Sequence, residues 1–167
     1  NTSAVLAPPE ELDSVTRNAI EFISKLPEDT LDRLVVRAAS DDEDLLGAIH
    51  ASGFKGYIEI DGREDAYYHW KYGDPGVSGR GLTLAVTSRN DEHYRDIGNI
   101  VVMEKNGMPA AVEWGYGSET FLSRVNDTVQ PLESSTIRDS FPYEQGLKAK
   151  LSDALAATIE MYCAGVT

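Results

Sequence analysis

Apolar residues recur at spacings of three and four between Glu10 and Leu26: Leu12, Val15, Ala19, Phe22, Ile23 and Leu26. That period puts them on one face of an α-helix. Pro8 and Pro9 precede the stretch and Pro27 ends it, because proline lacks an amide donor and clashes with the turn before it. Pro27, Glu28 and Asp29 suit the first turn of a second helix, where acidic side chains meet the positive end of the helix dipole. Leu31, Leu34, Val35 and Ala38 would form its apolar stripe. Ser40-Asp41-Asp42-Glu43 has the Ser-x-x-Glu spacing of a capping box. It predicts a short third helix through Leu45, Leu46 and Ile49 that ends before Gly53.

The period then changes to two. Phe54, Gly56, Ile58 and Ile60 alternate with Lys55, Tyr57 and Glu59, as in a half-buried strand. Ala66 to Tyr72 predicts an aromatic strand, with Tyr68, Trp70 and Tyr72 on one face and Tyr67, His69 and Lys71 on the other. Leu82, Leu84 and Val86 mark a third strand, and Asn90 to Asp96 reads as a loop or a single helical turn. Asn106-Gly107, flanked by apolar stretches, predicts a hairpin on a two-residue turn. Such a turn pairs Lys105 with Met108, Met103 with Ala110 and Val101 with Val112, and the face they share is expected to bury. Ser118 starts a short helix carrying Phe121, Leu122 and Val125. Pro142 to Cys163 predicts a long closing helix on which Leu147, Leu151, Leu155, Ile159 and Tyr162 align.

The expected fold is α+β: N-terminal helices, an antiparallel meander of about five strands, and a long C-terminal helix packed on one sheet face. Without a repeat or linker, residues 1–167 read as a single domain, with 1–9 as a flexible N-terminal segment.

Composition narrows the function classes. With 41% hydrophobic and 26% charged residues, the 167-residue chain has the make-up of a soluble globular protein. No apolar run approaches the roughly 20 residues of a membrane-spanning helix. Twenty-eight acids against fifteen Lys and Arg give a net charge of −13, which repels phosphate backbones and anionic lipid. Direct nucleic-acid or membrane contact is therefore not expected, whereas a basic protein partner is. The acidity concentrates in residues 1–50, which hold eleven acids and four bases. Cys163 stands alone, so no intramolecular disulfide can form. The first nine residues lack a basic segment followed by an apolar core. Both features fit a cytoplasmic location.

Candidate chemistry is sparse. His69 lies between Tyr68 and Trp70, and the sequence identifies no acid placed to orient it. Asp91, Glu92 and His93 form a polar cluster, but His50, His69 and His93 have no metal-ligand spacing. Asp41, Asp42, Glu43 and Asp44 are consecutive, unlike the alternating ligands of a calcium loop. Gly79-Arg80-Gly81 lacks the later glycine of a dinucleotide fingerprint. No catalytic residue, metal or cofactor is assigned, and catalysis is not favoured.

The leading expectation is an acidic protein-interaction module of the inhibitor, immunity or chaperone kind. Tyr57, Tyr67 and His69 would make contact, and Asp41, Asp42 and Asp44 would steer a basic partner. The alternative is a small-molecule or catalytic domain with a pocket between the sheet and the closing helix, lined by Tyr68, Trp70, Trp114 and Tyr116. An assembly subunit that forms homo-oligomers is the third reading.

Overall fold

The computed structural model describes residues 2–26, 29–60, 68–90 and 92–128, with Ala154, Leu155, Thr158 and Ile159. In chain order the elements are β1 (Thr2–Ala7), a 3-10 turn (Pro9–Glu11), α1 (Leu12–Ser24), β2 (Leu34–Ala38), α2 (Glu43–Ala51), β3 (Tyr57–Ile60), β4 (His69–Lys71), β5 (Val77–Thr87), β6 (Tyr94–Lys105), β7 (Met108–Gly117) and α3 (Ser118–Val125). The fold is α+β with an open, mostly antiparallel sheet.

The sheet has seven strands rather than about five, ordered β1-β7-β6-β5-β2-β3, with β4 pairing to β5 beside that path. It is not a simple meander. β2 and β3 run parallel, linked by α2, because two parallel neighbours need a crossover connection. Thr2–Ala7, expected to be a flexible lead, pairs along β7 as an edge strand.

Two helical expectations fail for identifiable reasons. The predicted second helix is β2, whose five residues are all buried. A strand covered on both sides reads as an unbroken apolar run, and Leu34-Val35-Val36 carries no alternation to separate it from a helix. The predicted capping box does not form either. Asp42 occupies the cap position of α2 without making a capping bond, because its carboxylate is held by Arg80. Of the expected closing helix over 142–163, only Ala154, Leu155, Thr158 and Ile159 are described. They are helical and exposed, and the last helix described in full is the short α3. Tyr67, Asp91 and Cys163 lie outside the described residues.

The hairpin turn matches expectation, with φ of 53° at Asn106 and 77° at Gly107. Lys105 pairs with Met108, but the register then slips. Glu104 faces Pro109 and Met103 faces Ala111, so Val101 opposes Glu113 and Val102 opposes Val112. Pro109 has no amide proton to give to a ladder, and such residues sit at bulges. A one-residue slip exchanges the faces of every residue beyond it. Val112 thus turns to the helices, while Val101, Met103 and Glu113 share the other side, contrary to the expected pairing.

The core lies between the helices and one sheet face. Val15, Ala19, Ile20 and Ile23 of α1 and Leu45 and Ile49 of α2 pack on Leu34, Val36, Leu82, Leu84, Ile100, Val102 and Val112. Phe121 and Val125 of α3 join at one end. An aromatic group there sets Phe22 5.4 Å from Trp114, and Tyr116 5.0 Å from Phe121, between ring centroids. The opposite face, the open face in the sense that the core-packing sides of the described helices lie across the sheet from it, carries exposed Tyr57 at its edge, buried Arg37, Thr83 and Val101, and half-buried Glu59, Asn99 and Glu113.

Candidate functional site

The open face holds a recess whose shape begins with two glycines. Trp70 lies opposite Gly79 in the β4–β5 pairing. A methyl group at Gly81 would run into the Ile100 carbonyl oxygen and come within 2.9 Å of the Trp70 ring. One at Gly79 would lie 2.8 Å from Val101 and 3.0 Å from the Tyr72 ring. The two glycines therefore let the rings of Trp70 and Tyr72 rest directly on β5. The Gly79-Arg80-Gly81 segment that failed as a phosphate motif is a seat for aromatic side chains.

Beyond those rings, a cavity of about 390 Å³ runs over Asn99, Val101 and Gly115 to Thr120 and Arg124 of α3. Asp96 and Glu113 also line it. Asp96 sits 3.9 Å from the Arg37 guanidinium, which is otherwise held by Glu59 at 2.7 Å. Glu113 and Arg124 have no hydrogen-bond or ion-pair partner among the described residues. The Glu113 carboxylate folds back along β7, 3.0 Å from where a Cβ of Gly115 would stand. Burial, and secondarily the Glu113 charge, push the Tyr72 hydroxyl above its usual pKa.

α3 is pinned at the cavity wall by Arg33. Its guanidinium donates to the Thr87 carbonyl at 2.8 Å and to the Val125 carbonyl at 2.7 Å. Val125 ends α3, where the helix dipole favours a cation. Asp127 follows in a left-handed conformation with φ 58°. It accepts from Ser88 Oγ at 2.9 Å and from the Arg89 amide at 2.7 Å, tying the loop after β5 to the same helix end.

A second polar cluster lies on the helix side, past the rim of the core. Arg80 donates to Asp44 at 2.7 and 2.6 Å, to Asp42 at 3.0 Å and to Glu104 at 3.1 Å. The three carboxylates, with desolvation opposing them, hold the Arg80 pKa above its ordinary value. Asp44 is drawn below the usual range, chiefly by its hydrogen bond to Arg80. Asp42 goes the other way because its burial outweighs the Arg80 contact. His69 pairs with Arg80 across β4 and β5 and exerts a lesser downward pull on Asp42.

The expected site residues therefore separate. Asp42 and Asp44 gather with His69 around Arg80, on the side of the sheet opposite the open-face cavity. Asp41 is exposed beside them, and Tyr57 is exposed on β3, at the sheet edge. Of the expected pocket residues, Trp70 and Tyr116 line the cavity, Tyr68 is fully buried, and Trp114 belongs to the core. Sequence reasoning missed Arg80, Glu113 and Arg124. The glycines on either side of Arg80 were a usable signal for Trp70 and Tyr72. Nothing local pointed to Glu113 and Arg124 lining one cavity, which only the register and the placement of α3 bring about.

No protein-family model matches this chain, and no curated protein matches its sequence. Among the described residues, no group of three or more His, Cys, Asp or Glu is placed to hold a metal ion, and no helix is long and apolar enough to cross a membrane.

Proposed function

We propose that the chain is an acidic, non-enzymatic binding module whose open sheet face receives a basic protein partner, as inhibitor, immunity or chaperone-like proteins do. The observation that carries this reading is the composition of that face. The buried apolar residues of the three described helices pack on the other side. The open face offers the exposed rings of Tyr57, Tyr72 and Tyr94 together with the carboxylates of Glu59, Asp96 and Glu113. Tyrosine is suited to interfaces, having an apolar body and a polar edge, and a net charge of −13 favours encounter with a cationic surface.

The steering role assigned to the acids after β2 narrows. Asp42 and Asp44 are bonded to Arg80, Asp44 remaining exposed, which leaves Asp41 as the one of the three without a side-chain partner among the described residues. The test immobilises the chain and identifies retained proteins by mass spectrometry at low and high salt. The reading requires a basic protein that is shed at high salt and lost from a variant carrying Tyr57→Ala and Glu59→Lys. Retention indifferent to salt and to those substitutions sinks it.

The cavity favours a second reading, a small-molecule site on the same face. Its volume of about 390 Å³ falls within the roughly 300–1,000 Å³ of ordinary ligand pockets. Its described lining runs from Trp70 of β4 to Arg124 of α3.

A further inference from the structure

The charges around the cavity are distributed unusually for so acidic a chain. Arg33, Arg37, Arg80 and Arg95, the other described arginines that are at least partly buried, each have a carboxylate within 4 Å. With carboxylates outnumbering cations 28 to 15, an unpaired, partly buried guanidinium is the least expected arrangement. Arg124 is in that position. Glu113, its opposite in charge, is equally unpaired and lines the same cavity. Two opposite charges in one recess, neither paired with another described residue, together match a ligand that bears both signs.

The surroundings assign an end to each charge. Beside Glu113 stand Trp70 and Tyr72, whose ring faces attract cations. The Glu113 charge also contributes to the raised Tyr72 pKa, so its field reaches that ring. Beside Arg124 stands Thr120, one turn earlier on α3, with a hydroxyl able to donate to a carboxylate. A guanidinium binds a carboxylate through two parallel N–H groups and fixes its orientation.

We propose that this cavity binds a small zwitterion, a free α-amino acid, with its ammonium group between Glu113 and the Trp70–Tyr72 rings and its carboxylate on Arg124. The proposal rests on the small-molecule reading of the cavity and names the ligand class for it. It does not depend on the protein partner. An isolated cation, such as a lysine side chain of a partner, would satisfy Glu113 and leave Arg124 facing a like charge. An isolated carboxylate would leave the reverse conflict.

The test is calorimetric titration of the purified chain with the twenty free protein amino acids. The tightest binder is then compared with its decarboxylated amine and its N-acetylated acid. The zwitterion should bind at least tenfold more tightly than either one-charge analogue. Arg124→Gln should weaken the zwitterion at least tenfold and leave the amine bound no more weakly, since a like charge has been removed. Glu113→Gln should weaken the zwitterion and leave the N-acetylated acid bound no more weakly, for the same reason. Both variants should keep the wild-type melting temperature, since neither side chain bonds another described residue. An amine that binds as tightly as the amino acid and ignores Arg124→Gln overturns the zwitterion and keeps the cavity as a cation site. If neither the amino acids nor the analogues bind, the ligand class and the small-molecule reading fall together.

Discussion

Arg80 donates to one carboxylate oxygen of Asp42 at 3.0 Å, while the other oxygen of Asp42 is buried without a hydrogen-bond partner. The pair is thus half satisfied. The contact favours the charged carboxylate, desolvation opposes it, and desolvation wins, leaving the Asp42 pKa above the ordinary 3.8. In the folded state Asp42 holds its proton to higher pH than in the unfolded chain. Between those two pKa values the folded state binds more protons, so the Asp42 contribution to stability falls as pH rises.

The other shifted aspartates have the opposite sign. Asp29, hydrogen-bonded to Arg89, is lowered to about 2, and Asp44 and Asp127 are also lowered. Their stabilisation is complete above the ordinary carboxylate range and is lost as pH falls toward their folded-state values. The chain as a whole should therefore lose stability on acidification below about pH 4, with Asp42 opposing the trend. In urea denaturation at pH 3.5 to 6, the stability of wild type minus that of Asp42→Asn should decline as pH rises past 3.8. A difference that stays flat across that range excludes the burial-raised Asp42.

Arg80 should matter far more to stability than Arg89, although each is bonded to carboxylates. Removing Arg80 strands Asp42, whose side chain is 6% exposed, beside Asp44 and Glu104. Breaking a buried pair by deleting one partner costs about 3–5 kcal/mol. The Arg80 side chain is itself 20% exposed, which brings the expectation for Arg80→Met to about 2–3 kcal/mol by chemical denaturation. Arg89 and its partner Asp29 are 39% and 43% exposed, and solvent screens such pairs. Arg89→Met should leave the denaturation midpoint almost unmoved. Equal costs for the two variants contradict the structure.

The elements written by local pattern were legible, and those written by long-range pairing were not. The three-and-four spacing from Leu12 to Ile23 specifies α1, and Asn106-Gly107 specifies the hairpin turn, because each signal lies within its own element. Leu34-Val35-Val36 reads equally as a buried strand or a buried helix until its neighbours are known. Pro109 marked the bulge in principle, but a proline at the third position of a hairpin does not state which strand slips. That slip decides the site. With the unbulged register, Val101 opposes Val112, and Glu113 falls on the face opposite the one it occupies. Sequence also gave the acids beside Asp42 without their common partner, since Arg80 arrives from β5, 36 residues after Asp44.

Gly81 and Gly47 should respond to alanine in opposite directions. At Gly81 the added methyl meets the Ile100 carbonyl and the Trp70 ring, and overpacking of this kind costs about 1–3 kcal/mol. Gly47 lies inside α2 with nothing within 4 Å of the added carbon. Alanine there should stabilise by about 0.5–1 kcal/mol through helix propensity. The Trp70 displacement can be read by fluorescence in a Trp114→Phe background, which leaves one tryptophan of the two. Unchanged emission in Gly81→Ala means that Trp70 does not rest on β5.

Arg33 should control the mobility of the cavity wall without building the sheet. It joins the end of β5 to the end of α3 through the Thr87 and Val125 carbonyls, and Asp29 lies 3.2 Å from its Nε. Hydrogen bonds from a charged donor contribute about 1.5–3 kcal/mol each when buried. The group is partly exposed, and water can replace part of that loss, so Arg33→Met should cost about 2 kcal/mol in all. The distribution of the effect is the sharper test. Hydrogen exchange should accelerate in Ser118–Val125, which packs chiefly on β6, β7 and the aromatic group, while the central β5–β6 ladder keeps its protection. If the amino acid binds between β4 and α3, saturating it should restore part of the lost α3 protection, because the carboxylate on Arg124 holds the helix from its other side. Acceleration spread evenly over β5 and β6 would instead make Arg33 a general core support and remove its role at the wall.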